Sequence, residues 1–284
     1  MYDLIIIGLG PAGINASIYA KRANLNVLVI EKDAPGGTLN SIKEIENYLG
    51  FPSISGPDLA LNFYKQFKTL KIPMVNEEVI KLENENDKKM VTTNKNKYKA
   101  KAVIIATGRG TKKLNFGINI KGVSYCALCD ANLYENKTVA IYGNNSKTLE
   151  EALYLSDIAK KVYLIVKDMK INNLNKDNIE IITNEEVTDL VAEDKQLKEI
   201  ILKNQTIIAD GLFLNLGYGP ATYFCEDLTN EEGYLEVNIK QETLIPGIYA
   251  SGDNIKKDVY QIINAASEGA IAAINANKYI KGIK

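Results

Sequence analysis

The chain opens on a pattern of apolar and polar positions that is typical of alternating strands and helices. The run Tyr2–Ile7 is short, apolar and rich in β-branched residues, which predicts a strand buried on both faces of a parallel sheet. Apolar residues from Ile14 to Ala23 recur with helical spacing, and Val27–Ile30 is a second apolar run. The order strand, helix, strand predicts a parallel βαβ unit at the amino terminus.

The same order of elements returns in the middle of the chain. Thr138–Tyr142 predicts a strand, Leu149–Ala159 an amphipathic helix and Val162–Val166 the next strand. Two copies of one unit predict an α/β protein with two dinucleotide-binding-like domains of the Rossmann type, each built in three layers. At 284 residues the chain is long enough for two domains of ordinary size.

Two further apolar runs end at residues that suit a ligand site. Ala102–Ala106 is followed by Thr107 and Gly108, and the stretch Gly247–Asp253 reads as a strand that ends in Gly-Asp. A helix is predicted from about Tyr260 to Lys278. The ends of such strands are where dinucleotide folds bind their ligands.

Composition and charge exclude several classes of function. The formal net charge is −1, so the sequence does not predict a nucleic-acid partner. The chain has no histidine, which excludes any mechanism that depends on an imidazole base. No apolar run approaches the length of a membrane span, and a glycine motif that begins at Gly8 leaves no room for a signal peptide. We therefore expect a cytoplasmic protein without membrane association.

The first βαβ unit carries a glycine-rich fingerprint at the position where it binds a dinucleotide. Gly8, Gly10 and Gly13 follow the first strand and open the helix, and Glu31 ends the second strand. In this arrangement Gly8 makes the tight turn, Gly10 lets a pyrophosphate approach the backbone, and Gly13 lets the helix pack on the strand. Glu31 can then accept hydrogen bonds from a ribose diol.

A second motif carries redox chemistry. Cys126 and Cys129 form a CxxC pair, Asp130 follows directly, and the third cysteine, Cys225, is distant in sequence. This spacing suits a small-loop disulfide that opens and closes, with one thiol acting as a thiolate nucleophile. The alternative, half of a zinc site, needs two more cysteine or histidine ligands, and the sequence offers only Cys225. We expect no metal, and an inert Cys225.

The glycine fingerprint and the CxxC-Asp motif are accompanied by Gly-Gly-Thr-Leu at residues 36–39, Ile-Glu-Asn-Tyr at 45–48 and Gly-Asp at 252–253. Together they resemble the low-molecular-weight thioredoxin reductase family over nearly the whole chain. The resemblance implies an FAD-binding domain that is split in sequence, at residues 1–112 and 244–284. It also implies an inserted, degenerate NAD(P)H-like domain at 113–243 that carries the CxxC motif.

The same resemblance implies a role for individual residues. The pyrophosphate would lie at the first glycine loop, the adenosine ribose at Glu31, the flavin side at Gly37, Thr38 and Asn47, and the ribitol at Asp253. The last helix would open at Gln261 and Ile262, although Tyr260 stands where the family usually has arginine. The implied FAD-binding residues are Gly8, Gly10, Pro11, Ala12, Gly13, Glu31, Lys32, Gly37, Thr38, Leu39, Asn47, Thr107, Gly108, Gly252, Asp253, Gln261 and Ile262.

The second glycine loop departs from a nicotinamide-binding pattern. Only the turn glycine, Gly143, is kept, whereas Asn145 and Thr148 replace the small residues that would admit a pyrophosphate and close the contact between helix and strand. After the next strand the chain has Lys167-Asp168 in place of the paired arginines that hold a 2′-phosphate. We expect that this domain has lost NADPH, although a degenerate yet functional site is the alternative.

The following segment, Met169–Asp177, is too short for the arginine-bearing helix that the family usually has there. Within the resembled family, a branch found in anaerobes takes electrons from reduced ferredoxin and lacks both nicotinamide signatures. The resemblance to that branch implies electron flow from ferredoxin through FAD to the dithiol, with Cys129 facing the flavin and Cys126 attacking thioredoxin. Asp130 would donate or accept the proton.

The implied partners are thioredoxin and ferredoxin, and the family implies a homodimer. Because ferredoxins are acidic, a basic docking patch is expected, with Lys112, Lys113, Lys256 and Lys257 as its candidates. Three other functions remain open: an NAD(P)H-dependent reductase, a flavin dithiol oxidase that uses dioxygen, and a flavin redox sensor without turnover.

Overall fold

Each strand and helix predicted at the amino terminus is present in the computed structural model, whose described residues are 1–85, 88–114, 116, 120–169, 171, 174 and 176–282. The chain divides into two compact units, one formed by residues 1–110 and 219–284 and the other by residues 111–218. In chain order the elements are β1 (Tyr2–Ile7), α1 (Pro11–Arg22), β2 (Val27–Glu31), α2 (Gly56–Thr69), β3 (Met74–Asn76), β4 (Val79–Glu85), β5 (Lys88–Thr93), β6 (Lys97–Ile105), β7 (Arg109–Thr111), β8 (Val123–Ser124), α3 (Ala127–Asp130), β9 (Thr138–Gly143), α4 (Ser146–Ser156), β10 (Lys161–Val166), β11 (Ile179–Thr183), β12 (Val187–Glu193), β13 (Gln196–Leu202), β14 (Thr206–Ile208), β15 (Gly211–Asn215), β16 (Tyr218–Pro220), β17 (Ile248–Ala250) and α5 (Ile262–Ile280).

The first unit is built on a parallel sheet whose strands lie in the order β3, β2, β1, β6 and β17. Strand β6 belongs to two layers, because its amino-terminal part pairs antiparallel with β5 and its carboxyl-terminal part pairs parallel with β17. Strands β4 and β5 extend that first part into an antiparallel meander. The parallel sheet and the meander thus share one strand.

The apolar run of β1 is continuous because both of its faces are buried. Leu4 and Ile6 lie in an apolar cluster with α1 and α5, whereas Ile5 and Ile7 lie in a second cluster with residues of β4 and β5. Successive side chains of a strand point to opposite faces, so a strand between two layers needs apolar residues at every position. The unit therefore has three layers: helices, parallel sheet and meander.

The second unit repeats this architecture. Its parallel strands lie in the order β11, β10, β9, β15 and β8, and β12, β13 and β14 form a separate antiparallel sheet. One face of the parallel sheet packs against α3 and α4, and the other packs against the antiparallel sheet. The predicted fold class, α/β with two Rossmann-type units of which the first is discontinuous in sequence, is confirmed.

One predicted boundary is displaced. The second segment of the first unit begins at Gly219 rather than at residue 244. The reason is burial, since Phe224, Cys225 and Leu235 lie in the same apolar cluster as Ile5 of β1. This segment also hydrogen-bonds to the meander, where the Leu82 amide donates to the Phe224 carbonyl oxygen at 3.1 Å. The inserted unit accordingly ends at Tyr218 rather than at residue 243.

Helix bounds differ from the predicted ones by a few residues. Helix α4 begins at Ser146 rather than at Leu149, because the Asn145 side chain caps it from the preceding position. Helix α1 begins at Pro11, whose ring is pre-formed for the first turn of a helix. None of the described helices is long and apolar enough to cross a membrane.

Candidate functional site

The first glycine loop lies at the carboxyl end of β1 and combines crowded and uncrowded positions. A Cβ atom added at Gly13 would lie 1.9 Å from the Gly8 carbonyl oxygen, so close helix packing requires glycine there. A Cβ atom at Gly10 would meet no protein atom nearer than the Gly36 carbonyl oxygen, at 3.9 Å. Gly10 itself has an ordinary extended backbone, with φ −78° and ψ −170°. Protein packing therefore explains Gly13, whereas the open space at Gly10 suits the close approach of a ligand.

A second glycine pair closes on this loop. The Gly36 amide donates to the Leu9 carbonyl oxygen at 2.8 Å, and a Cβ atom at Gly37 would lie 3.6 Å from Gly10 Cα. The 3₁₀ helix Gly37–Ser41 follows. In it Thr38 is exposed, whereas Leu39 is buried among apolar side chains. The Gly36–Gly37 pair thus lies directly against the first glycine loop and forms one cradle with it, and Leu39 contributes packing through its side chain.

Glu31 lies at the end of β2 with a buried carboxylate. Its Oε2 atom accepts a hydrogen bond from the Leu9 amide at 2.6 Å, and its Oε1 atom accepts one from the Asp33 amide at 2.8 Å. Burial raises the pKa of this carboxyl above its usual value, against the lowering effect of those amides. Each oxygen keeps a further lone pair, as a ribose diol requires. Lys32 is half-exposed, and its ammonium nitrogen lies 3.8 Å from a carboxylate oxygen of Asp33 and 3.8 Å from one of Glu78.

The carboxyl ends of β6 and β17 meet and are tied by a buried amide that the sequence reasoning missed. Asn254 is fully buried, and its Nδ2 atom donates to the Ile105 carbonyl oxygen at 3.0 Å and to the Thr107 hydroxyl at 3.2 Å. The Thr107 hydroxyl in turn donates to the Ala221 carbonyl oxygen at 2.7 Å. The sequence signal for Asn254 is its position directly after Gly252-Asp253, the pair that follows a buried strand.

The Gly252–Asp253 turn follows β17 and carries a buried carboxylate oxygen. Asp253 Oδ1 is buried and has no hydrogen-bond partner among the described residues, with the Lys257 ammonium 3.5 Å away. Ser251 Oγ and Asn254 Oδ1 are likewise buried without a hydrogen-bond partner in the described chain. Buried polar atoms in native proteins normally have partners, so these atoms suit hydrogen bonds to a bound molecule or to water.

Helix α5 starts where the resemblance implied. Gln261 is its N-cap and Ile262 its first residue. The Asn47 side chain donates to Gln261 Oε1 at 3.1 Å, which joins two residues assigned to the flavin side from distant parts of the sequence. Tyr260, in place of the expected arginine, packs under two cations: the Arg109 guanidinium lies 5.8 Å and the Lys257 ammonium 5.4 Å from its ring centroid.

These features fit FAD. The space beside Gly10 is open, Glu31 can supply a diol acceptor, and Asp253 can supply an acceptor for a further hydroxyl. The 19-residue helix α5 also directs free amides from its amino terminus, where negative charge is favoured. The residues implied for FAD therefore gather on the carboxyl edge of the first unit's parallel sheet, apart from side chains such as Leu39 that pack into the core.

The CxxC pair lies in the second unit, directly after β8. Cys126 and Cys129 form a disulfide with an S–S distance of 2.04 Å, and Cys126 is the N-cap of the short helix α3. The Cys129 amide points at the Cys126 sulfur, with N and Sγ 3.2 Å apart. Cys126 is half-buried and Cys129 is exposed. Within the described residues, no group of three or more histidine, cysteine or acidic side chains could hold a metal ion.

Asp130 is held in place by a buried hydroxyl that the sequence reasoning missed. The Ser124 hydroxyl donates to Asp130 Oδ2 at 2.7 Å, and the Cys126 amide donates to Ser124 Oγ at 3.1 Å. Ser124 thus joins the acid to the backbone of the first cysteine. Tyr134 follows on the next turn, and burial, followed by the charges of Asp130 and Asp210, raises the pKa of its phenol.

The second glycine loop is filled by its own side chains. Asn145 Oδ1 accepts from the Thr148 amide at 3.1 Å, and Asn145 Nδ2 donates to the Asn215 carbonyl oxygen at 3.1 Å. The Thr148 hydroxyl occupies the space beside Gly143, where an added Cβ atom would lie 2.4 Å from it. In the first unit the corresponding helix start has no side-chain cap. The helix amide that a pyrophosphate could use is therefore engaged by Asn145.

The position for a 2′-phosphate is also occupied by protein contacts. The Lys167 ammonium pairs with Glu186 at 2.9 Å, and this hydrogen bond raises the pKa of Lys167. The Asp168 amide donates a hydrogen bond to Asn144 Oδ1 at 3.1 Å. A simpler sequence signal points the same way: Arg22 and Arg109 are the only arginines of the chain, so the unit at 111–218 has none. Part of the segment Met169–Asp177, residues 170, 172, 173 and 175, lies outside the described residues.

One of the four lysines expected to dock an acidic partner is not available for that role. The Lys257 ammonium is bonded to both Glu268 carboxylate oxygens, at 2.7 and 3.0 Å, and its side chain is only 12% exposed. Lys256 is half-exposed and paired with Glu232. The prediction for Lys257 is therefore wrong, because burial beside a carboxylate removes it from the surface.

Comparison with known proteins agrees with this geometry. Residues 2–269 match the family described as pyridine nucleotide-disulphide oxidoreductase. A thioredoxin reductase of Ureaplasma parvum is 36% identical, over 99% of this chain and 97% of its own. The ferredoxin-flavin thioredoxin reductase of Clostridium acetobutylicum superposes with a TM-score of 0.64 at 33% identity, over 99% of this chain and 98% of its own. The thioredoxin reductase of Lactococcus lactis superposes with a TM-score of 0.61 at 31% identity, over 99% of this chain and 100% of its own.

Proposed function

Since the chain belongs to the pyridine nucleotide-disulphide oxidoreductase family, among the low-molecular-weight thioredoxin reductases, we propose that it reduces the disulfide of a thioredoxin through the Cys126–Cys129 pair. The observation that carries this function is the CxxC disulfide with Asp130 held beside it by Ser124. Enzymes of this type are FAD-binding flavoproteins, and the cradle of the first unit fits that cofactor. What FAD supplies when bound is the exchange between electrons taken up from a donor and an electron pair delivered to a disulfide.

The chain's own residues divide the dithiol chemistry between two sulfurs. Two electrons and two protons convert the Cys126–Cys129 disulfide into two thiols. The Cys129 amide is directed at Cys126 Sγ, and such a hydrogen bond stabilises a thiolate at Cys126, which attacks the thioredoxin disulfide. The mixed disulfide is then broken when the Cys129 thiolate attacks Cys126 Sγ, which re-forms the pair and releases reduced thioredoxin.

Asp130 is the acid or base of this exchange. It directly follows Cys129, and the Ser124 hydroxyl holds one of its oxygens at 2.7 Å. In a chain without histidine it is the titratable group next to the dithiol in sequence. Its role is to take the proton from a thiol of the pair as that sulfur becomes the attacking thiolate, and to give that proton to the departing thiolate of thioredoxin.

We propose reduced ferredoxin as the electron donor. The single observation behind this choice is the Asn145 side chain, which engages the helix amide that a nicotinamide dinucleotide would need. The absence of arginine between residues 111 and 218 and the Lys167–Glu186 pair support it. So does the likeness to a protein named ferredoxin-flavin thioredoxin reductase. An NAD(P)H-dependent reductase is the second candidate, because other relatives are named simply thioredoxin reductase.

The donor is tested with the FAD-loaded protein under anaerobic conditions. NADPH, NADH and reduced ferredoxin are added separately in excess, and the visible absorbance of the flavin is followed. We expect bleaching by ferredoxin alone. Rapid bleaching by micromolar NADPH or NADH would refute the choice of donor and leave the dithiol chemistry intact.

The dithiol is tested in the same assay with thioredoxin added. Cys126→Ser is expected to abolish thioredoxin reduction while the flavin is still reduced by the donor, because only the attacking sulfur is lost. Cys225→Ser is the matched control. Cys225 is a buried free cysteine that is distant in sequence from the CxxC pair, so this variant should keep the wild-type rate. Loss of both half-reactions in Cys126→Ser would contradict the division of labour. Turnover of a small dithiol with dioxygen, and none with thioredoxin, would indicate the oxidase.

A further inference from the structure

A buried ion pair lies beside the turn that carries Asp253, and neither of its members belongs to the dinucleotide fingerprint. Lys257 follows that turn, and Glu268 lies within α5. The Lys257 ammonium reaches both carboxylate oxygens of Glu268, and the two side chains are only 12% and 13% exposed. Charged side chains are rarely buried to this extent unless they are paired and hydrogen-bonded.

Both members of the pair also contact the turn itself. Glu268 Oε2 accepts a hydrogen bond from the Gly252 amide at 2.8 Å. The Lys257 ammonium lies 3.5 Å from Asp253 Oδ1, an atom that is buried and has no hydrogen-bond partner in the described chain. Lys257 thus attracts the Asp253 carboxylate by charge while that oxygen remains able to accept a hydrogen bond.

The turn is confined from the other side by the glycine loop. A Cβ atom at Gly252 would lie 3.1 Å from the Ala12 side chain, and one at Gly269 would lie 2.1 Å from the Ala12 carbonyl oxygen. Glu268 therefore lies next to the point where α5 packs on α1. Its hydrogen bond to Gly252 fixes the turn relative to both helices.

The charges explain why the pair is kept. Asp253 and Glu268 are two carboxylates that share one cation, Lys257. Without that cation, Glu268 would be a buried and unpaired charge, and it would also repel Asp253. The turn would then relax toward solvent and no longer hold Asp253 in one position.

We propose that Lys257 and Glu268 are positioning residues of the FAD site: they hold the Gly252–Asp253 turn so that the Asp253 carboxylate is presented to a hydroxyl of the cofactor. This rests on the proposed function only for the identity of the cofactor as FAD. It requires neither ferredoxin nor thioredoxin.

The first test is a double-mutant cycle on FAD affinity. Apo-protein is prepared from the wild type, Lys257→Met, Asp253→Asn and the double variant, and FAD is titrated by its fluorescence. Each single variant is expected to raise Kd about tenfold or more, as for a lost hydrogen bond to a charged group. If Lys257 acts through Asp253, the double variant binds no more than about twofold more weakly than Asp253→Asn alone.

Lys256→Met is the matched control, because this neighbouring lysine is half-exposed and pairs with Glu232 instead. Its Kd for FAD should equal that of the wild type. A wild-type Kd for Lys257→Met, or additive effects in the cycle, would overturn the proposal. Thermal unfolding of each apo-protein is recorded alongside, since a purely structural role would lower stability without the non-additive change in Kd.

Glu268 provides a second test if Lys257→Met does not fold. Glu268→Gln keeps an acceptor for the Gly252 amide, and its Kd is expected to stay within about threefold of the wild type. Glu268→Ala removes the acceptor and should weaken binding about tenfold. Equal Kd values for the two variants would refute the positioning role. A failure of thioredoxin reduction would leave these affinities unchanged, so the two proposals fail separately.

Discussion

The glycine loop of the first unit allows a substitution that separates cofactor binding from folding. Gly10→Ala adds a methyl group where the nearest protein atom is 3.9 Å away, at a backbone φ of −78° that alanine adopts readily. Gly13→Ala adds the same group 1.9 Å from the Gly8 carbonyl oxygen. Both variants carry the same glycine-to-alanine substitution, and they differ only in the atoms that surround the new methyl group.

The two substitutions are expected to change the free energy of unfolding of the apo-protein in opposite directions. An unstrained glycine-to-alanine change stabilises by about 0.4–1 kcal/mol, because it lowers the entropy of the unfolded chain. Forcing a methyl group against the Gly8 carbonyl at Gly13 costs about 1–3 kcal/mol or more, because the backbone must move. For FAD, a methyl at Gly10 that displaces one phosphate hydrogen bond costs about 1.5–3 kcal/mol, or about 10- to 150-fold in Kd.

The assay measures both quantities on the same samples. Unfolding of each apo-protein in urea gives the stability, and titration with FAD gives Kd. We expect Gly10→Ala to be at least as stable as the wild type and to bind FAD much more weakly, and Gly13→Ala to lose both. A Gly10→Ala protein that binds FAD normally would refute the role of that loop as the pyrophosphate cradle. A strongly destabilised Gly10→Ala apo-protein would show that the space beside Gly10 cannot accommodate a methyl group.

Three further predictions concern other residues. Asn145→Ala should destabilise the second unit by about 1–2 kcal/mol in urea, because it removes the helix cap and the bonds to Asn215, whereas Asn145→Asp keeps the cap and should lose less; equal stability of all three proteins would contradict the cap. Burial raises the pKa of the Cys225 thiol to about 12, so iodoacetamide at about pH 8 should label two cysteines of the reduced native protein and all three after denaturation, as counted by mass spectrometry; native labelling of Cys225 would show that it is reactive. Ser124→Ala frees Asp130 and should slow thioredoxin reduction about tenfold in a stopped-flow assay, with Ser124→Thr retaining most of the rate; an unchanged rate in Ser124→Ala would remove the hydroxyl from the mechanism.

The local elements could be predicted from the sequence because their signals are local. The apolar run of β1, the glycines of the first loop and Glu31 lie within about 30 residues, and each acts through its own backbone geometry or its place at a strand end. The CxxC spacing is a signal of the same kind. Short-range spacing decides these features, so tertiary contacts did not alter them.

The meander and the boundary at Gly219 depend on packing between distant segments. The resemblance implied a domain boundary at residue 244, yet Phe224 and Leu235 are buried against the strand that opens the chain. A local pattern of apolar residues does not predict which distant apolar surface a strand or loop will pack against. Only the tertiary structure shows that the segment at 219–243 completes the core of the first unit.

The site divides in the same way. The glycines of the first loop and the replacement of small residues by Asn145 and Thr148 in the second loop were readable from the sequence, and they predicted one ligand-binding loop and one degenerate loop. It could not show that Asn145 bonds Asn215, that Ser124 holds Asp130, or that Lys257 is buried against Glu268. Hydrogen bonds and ion pairs between side chains depend on where separate elements come to lie, so these contacts were decided by the folded structure alone.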